Sequence, residues 1–116
     1  MEFEHYTVAL LVTNPDAPEL DEAAAAVLQD AHLSHLADLH EAGHLLAVGP
    51  LADPGGELRG LSLLGVDVDE ARRLCDADPA VRAGVFLLRV LPWSTPAGAL
   101  HFTQTRLPRS LADIRD

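Results

Sequence analysis

Hydrophobic and polar positions change rhythm repeatedly along the chain, and each change marks an element border. Tyr6 to Val12 is a short apolar run containing β-branched residues. It stops at Thr13-Asn14-Pro15-Asp16-Ala17-Pro18, which predicts a buried strand and then a loop. From Leu20 to Ala42 the spacing turns helical. Ala24, Leu28, Ala31, Leu36 and Leu39 share a stripe, Glu22, Gln29, Asp30 and Glu41 lie opposite, and Gly43 is placed to end the helix. His44 to Val48 and Leu58 to Val66 are two further apolar runs. Gly49-Pro50 and the turn signal Asp53-Pro54-Gly55-Gly56 separate them, so they predict a hairpin. Asp67, with Glu70 three residues on, caps a second helix whose buried stripe is Val68, Ala71, Leu74 and Cys75. Pro79 ends that helix, because the residue before a proline is pushed out of the α region. Val85 to Leu91, interrupted only by Arg89 and ended by Pro92, reads as a central strand.

The resulting order is βαββαβ, an α+β plan of the ferredoxin-like kind with an antiparallel sheet. Beyond Trp93, Pro96 and Gly98 precede the alternating stretch Leu100 to Thr105, which predicts an added edge strand, and Ser110 to Arg115 predicts a final helical turn. At 116 residues with 48% hydrophobic content, the chain fits one domain spanning 1–116. A core of this size is thin, and a homodimer is the expected way to finish burying its apolar faces.

Charge narrows the partners. Eighteen acidic residues stand against 8 basic ones, all arginine, for a net charge of −10, which repels phosphate backbones and anionic lipid. Neither nucleic acid nor membrane is therefore an expected partner; a small-molecule ligand is. The N-terminal residues Met1 to His5 show no basic leader and no long apolar stretch, so the expected location is cytoplasmic. The single cysteine, Cys75, rules out an internal disulfide and sits on an apolar stripe beside Asp76 and Asp78, which raise a thiol pKa. It reads as buried filler.

The first helix carries the candidate chemistry. On a wheel of ~100° per residue, His32, His35, Leu28 and Leu39 fall within an arc of about 60°, so both imidazoles point along the apolar stripe. A buried imidazole needs partners for its ring nitrogens, and a carboxylate would fix its tautomer and raise its basicity. Asp78 is the candidate carboxylate. Two readings of His32 stand side by side: a satisfied core histidine, or a general base oriented by Asp78. Asp78 itself is either that orienting group or a turn residue bonding backbone N–H groups ahead of Pro79. His35 is a second pocket group or a packed ring. His32 and His35 at i, i+3 can share a cation, but no motif closes such a site, so neither metal nor cofactor is expected. Arg59 beside Gly60 is a candidate anchor for an anionic substrate group, or a surface counter-charge. Gly49 and Pro50 shape a pocket wall or merely bend a strand. Trp93 closes a hydrophobic edge of the fold or of a dimer. No phosphate-cradling loop, nucleophile elbow or nucleotide fingerprint is present, which disfavours kinases, hydrolases of that kind and NAD or flavin enzymes.

Several short motifs occur in a fixed order: His32-Leu33, Ala42-Gly43-His44-Leu45-Leu46, Gly49-Pro50-Leu51, Arg59-Gly60, Glu70-Ala71, Asp78-Pro79 with Gly84, and Pro92-Trp93. Together, over roughly residues 6 to 93, they resemble the YciI-like (YCII-related) domain proteins. That resemblance implies a dimeric α+β barrel of ferredoxin-like subunits, with a pocket in which His32 and Asp78 form the catalytic pair. The family includes a dehydrochlorinase of a chlorinated hydroxyhydroquinone, and the fold resembles that of muconolactone isomerases. Proton abstraction from a small cyclic or aromatic substrate, as in a lyase or isomerase, is the implied chemistry. The alternative is a non-catalytic module binding a small ligand or a protein through the same cavity. The chain departs from the family in carrying His35 where an aromatic residue is common and in its tail of about twenty residues past the usual end.

Overall fold

Breakers and caps set the element borders in the computed structural model, which describes residues 1–115. Asp21 accepts the Ala24 N–H at 2.7 Å and opens the helix α1 (Glu22–Glu41). The helix closes at Ala42, and Gly43 follows with φ of 85°, a left-handed conformation that costs glycine little. Its N–H reaches the His40 carbonyl and that of His44 reaches Leu39, both at 3.0 Å, turning the chain into β2 (Leu45–Pro50). Asp53 builds the hairpin turn: its carboxylate accepts the N–H groups of Leu58 at 2.9 Å and Gly55 at 3.1 Å, which hold its pKa below the ordinary value. β3 (Leu58–Leu64) follows. Asp67 caps α2 (Val68–Asp76) through the Glu70 N–H at 2.8 Å, as its spacing predicts.

Four strands form one antiparallel sheet in the order β2-β3-β1-β4, with β1 (Phe3–Thr13) and β4 (Phe86–Pro96) the longest. Paired residues of antiparallel strands share a face. The register therefore puts Ala9 and Leu11 of β1 on the same face as Ser62 and Gly60 of β3 and Val90 and Leu88 of β4. Over that face α1 and α2 close a core of Ala9, Leu39, Leu45, Leu64, Ala71 and Cys75, flanked by Leu36, Val48, Leu88 and Val90. Tyr6, Val8, Leu10, Leu87, Leu91 and Trp93 lie on the opposite face.

Five expectations change. The run ending in Leu91 is an edge strand, not a central one, and it continues through Pro92, which faces Thr7, to Pro96. Edge strands accept proline because half of their N–H positions meet no partner. Gly49-Pro50 does not interrupt β2: the strand runs through both, and its irregularity lies between Leu45 and Ala47. Pro79 is not only a stop, since it occupies the first turn of a short third helix, α3 (Pro79–Arg82), where a missing N–H costs nothing. Leu100 to Thr105 pairs with no strand, and of the predicted final helical turn only a 3₁₀ turn at Leu111–Asp113 forms.

Candidate active site

His32 sits midway along α1 at 6% exposure, and Asp78 is the N-cap of α3 at 3%. The imidazole Nδ1 donates to Asp78 Oδ2 at 2.6 Å, a distance typical of a charge-assisted bond. The second oxygen, Oδ1, accepts the Ala80 N–H at 2.9 Å. The carboxylate thus bonds the imidazole with one oxygen and the turn backbone with the other. Nε2 has no protein hydrogen-bond partner among the described residues, yet no buried side-chain nitrogen or oxygen there lacks one, so it retains contact with open space. His32 lines a cavity of about 530 Å³, within the range that holds small-molecule ligands.

Three pieces of the chain wall that cavity. α1 contributes Gln29, His32, Leu33 and Leu36; the sheet contributes Gly49, Pro50, Arg59, Ser62 and Phe86, among others; the tail contributes Leu107, Pro108 and Ile114. Phe86 lies beside both polar anchors, its ring centroid 6.1 Å from that of His32 and 5.9 Å from the Arg59 guanidinium carbon, close enough for a cation–π contact. Among the described residues Arg59 is the only Lys or Arg on the wall, and no carboxylate of theirs lines it. In a chain of net charge −10 this is a local inversion of sign.

Of the residues singled out from sequence, His32, Gly49, Pro50 and Arg59 line the cavity, and Asp78 stands directly behind His32. His35 does not line it. Its Nε2 donates to the Leu74 carbonyl at 3.0 Å and ties α1 to α2, the packed-ring alternative. Among the described residues no three His, Cys, Asp or Glu side chains are placed to hold a metal ion. Cys75 is buried, and burial first, then Asp78 and Asp76, pushes its thiol up to about 11.

Gln29, Ser62, Phe86 and the three tail residues are missed by sequence reasoning. Gln29 was expected on the solvent face of α1, but the helix is covered on more than one side. His40 was missed as well: it is buried, donates from Nδ1 to the Leu45 carbonyl at 2.7 Å and accepts the Thr105 N–H on Nε2 at 3.0 Å. A run of apolar residues at 107, 111 and 114 was the one signal that the tail packs against something.

The sequence pattern of the YCII-related domain matches residues 7–94, a span that holds His32, Asp78 and every cavity residue except those of the tail. The chain belongs to the YCII-related family. Eight chains of solved structures also match. Among them is 5-chloro-2-hydroxyhydroquinone dehydrochlorinase (TftG) from Burkholderia phenoliruptrix AC1100 in complex with 2,5-dihydroxybenzoquinone. It is similar at 20% identity and a TM-score of 0.51, over 76% of this chain and 92% of that one. At that identity the likeness is one of fold, and it agrees with the mixed α+β architecture of the YCII-related chain. No curated protein matches. No helix among the described residues is long and apolar enough to cross a membrane.

Proposed function

We propose that this YCII-related protein is a small-molecule enzyme of the lyase or isomerase type in which His32 takes a proton from a cyclic or aromatic substrate. The observation that carries the reading is the buried 2.6 Å His32–Asp78 bond, which leaves Nε2 as the one ring nitrogen available to a ligand in the cavity. With its Nδ1–H held by the carboxylate, the neutral ring presents a lone pair on Nε2. That lone pair takes a proton from a substrate C–H or O–H, and Asp78 stabilises the imidazolium that forms. In an elimination the electron pair released from the broken bond makes a new double bond and expels a leaving group from the neighbouring carbon. In an isomerisation the imidazolium returns the proton at another carbon. Such a base contributes on the order of 10²- to 10⁴-fold.

Arg59 supplies the charge to hold a phenolate, enolate or carboxylate on the substrate, with Phe86 beside it as a ring-stacking surface. Gly49 and Pro50 serve as wall, and His35 serves to position α1. The ring-shaped ligand of the structurally similar dehydrochlorinase supports a substrate of this size. Leu87, Leu91 and Trp93, 48%, 41% and 41% exposed on the uncovered sheet face, support self-association of two copies through that face.

The deciding experiment offers chlorinated and non-chlorinated hydroxyhydroquinones and ring lactones to the wild type and to His32→Gln, following chloride release and ultraviolet absorbance. Turnover in the wild type with loss of about 10²-fold or more in the variant is expected. Binding of these compounds without turnover in either protein would replace the enzyme with a ligand-binding module.

A further inference from the structure

The tail lies outside the span matched to the family, yet it supplies one wall of the cavity. Its wall residues, Leu107, Pro108 and Ile114, carry no polar side-chain atom. Of the three charged residues between Thr105 and Ile114, Arg106 and Asp113 do not line this cavity, and Arg109 is engaged elsewhere: its guanidinium meets Asp38 at 2.9 Å, Glu41 at 3.0 Å and the Ser34 hydroxyl at 3.1 Å, all on α1. Asp30, one turn from the start of that track, accepts the Leu111 N–H at 2.7 Å. At the far end the Thr105 N–H is held by His40 Nε2. The polar face of α1 is therefore a docking track, and the tail is fixed along it from Thr105 to Leu111.

A wall fixed in this way selects ligands by chemistry. Arg59 favours one negative group, and a second charge turned towards Leu107, Pro108 and Ile114 would give up part of its hydration against wall side chains that offer no polar atom. An apolar substituent in that position gains about fourfold in affinity for each methylene buried. We propose that residues 105–114 are the specificity-determining wall of the site, selecting ring compounds that carry a single anionic group and an apolar substituent across the ring from it. This rests on the cavity being the ligand site proposed above, but not on turnover.

The test is calorimetric titration of three probes, benzoate, 4-ethylbenzoate and terephthalate, into the wild type, Ile114→Lys and Arg59→Gln. In the wild type 4-ethylbenzoate is expected to bind roughly tenfold tighter than benzoate, and terephthalate weaker than either. Ile114→Lys places a cation on the wall and should reverse the order of 4-ethylbenzoate and terephthalate. Arg59→Gln should weaken all three by a similar factor and leave their order intact. Amide exchange at Thr105 and Leu111, unchanged in Ile114→Lys, shows that the tail is still docked. If it is not, Ile114→Ser takes its place and should reduce the preference for 4-ethylbenzoate over benzoate. Equal binding of the three probes to the wild type, no binding of any, or an unaltered order with the tail docked would overturn the proposal. The probe titrations need no turnover, so failure of the catalytic reading would be seen as turnover absent from the wild type, or undiminished in His32→Gln, while the wild-type probe order holds.

Discussion

Replacing Asp78 by asparagine separates the two tasks of its carboxylate. The Ala80 N–H decides which way the new amide faces: its oxygen must take that hydrogen, as Oδ1 does at 2.9 Å in the native protein, or two N–H groups would confront each other. The amide NH₂ then points at His32, where Oδ2 accepted the Nδ1 hydrogen at 2.6 Å. Nδ1 can only accept from it, so the ring proton moves to Nε2, the nitrogen left to the cavity. The helix cap survives, and one charge-assisted bond becomes a neutral one, a stability cost of ~1 kcal/mol. Proton abstraction through Nε2 is lost, about 10²- to 10⁴-fold in kcat. Asp78→Ala does different damage. It strips the α3 cap, worth ~1 kcal/mol, and leaves a buried ring N–H without a partner, worth about 1–3 kcal/mol. Nitrogen-15 NMR of the imidazole at a pH where the ring is neutral reads the tautomer, and urea denaturation reads the stability. The expected result is Nδ1–H in the wild type, Nε2–H in Asp78→Asn, and a clearly larger loss of stability in Asp78→Ala. An unchanged tautomer in Asp78→Asn, or equal destabilisation by both variants, would refute this account of the pair.

Cys75 has a folded-state pKa of about 11, raised from an ordinary 9.0, so its contribution to stability is complete below pH 9 and lost as pH rises through 11. The wild type should therefore lose up to roughly 2–3 kcal/mol more than Cys75→Ala over that interval in denaturant titrations; parallel pH profiles would contradict the assignment. His40→Ala removes both the donor to Leu45 and the acceptor for Thr105. It should cost about 2–4 kcal/mol and accelerate amide exchange at Thr105, and a protected Thr105 amide in that variant would mean the tail is held by other contacts. Leu91→Asp, on the uncovered sheet face, is expected to shift the light-scattering mass from two copies to one while leaving the fold intact by circular dichroism. A wild type that is already monomeric at micromolar concentration would rule out pairing through that face.

Much of the fold was legible because local signals agreed with one another. Asp67 and Glu70, Gly43, and the Asp53-Pro54-Gly55-Gly56 turn each act within a few residues, and each does in the structure what its spacing predicts. His32 and Asp78 were legible for a different reason: an imidazole on an apolar stripe demands a partner, and few carboxylates stand where the topology brings one near. What was misread depends on distant neighbours. Leu87 and Leu91 make β4 look buried on both sides, because hydropathy records that a residue is apolar and not whether the chain itself covers it. His40 is bonded by, and Gln29 shares the cavity wall with, a tail more than sixty residues away in sequence, whose alternating residues imitate a strand while bonding to helix side chains. His35 shares the stripe with His32, but His32 meets the cavity where His35 meets the Leu74 carbonyl of α2, and the wheel cannot see that difference.

The two-sided carboxylate of Asp78 bears on how related sequences are compared. An aspartate there is held by the turn as well as by the imidazole, so selection for folding alone suffices to retain it in a descendant without the proposed reaction. His32 has no such second duty in the backbone. Among relatives, the residue at position 32 is therefore the informative one for ancestry of the proposed reaction, and an aspartate at 78 standing opposite something other than histidine would mark a fold retained without that chemistry.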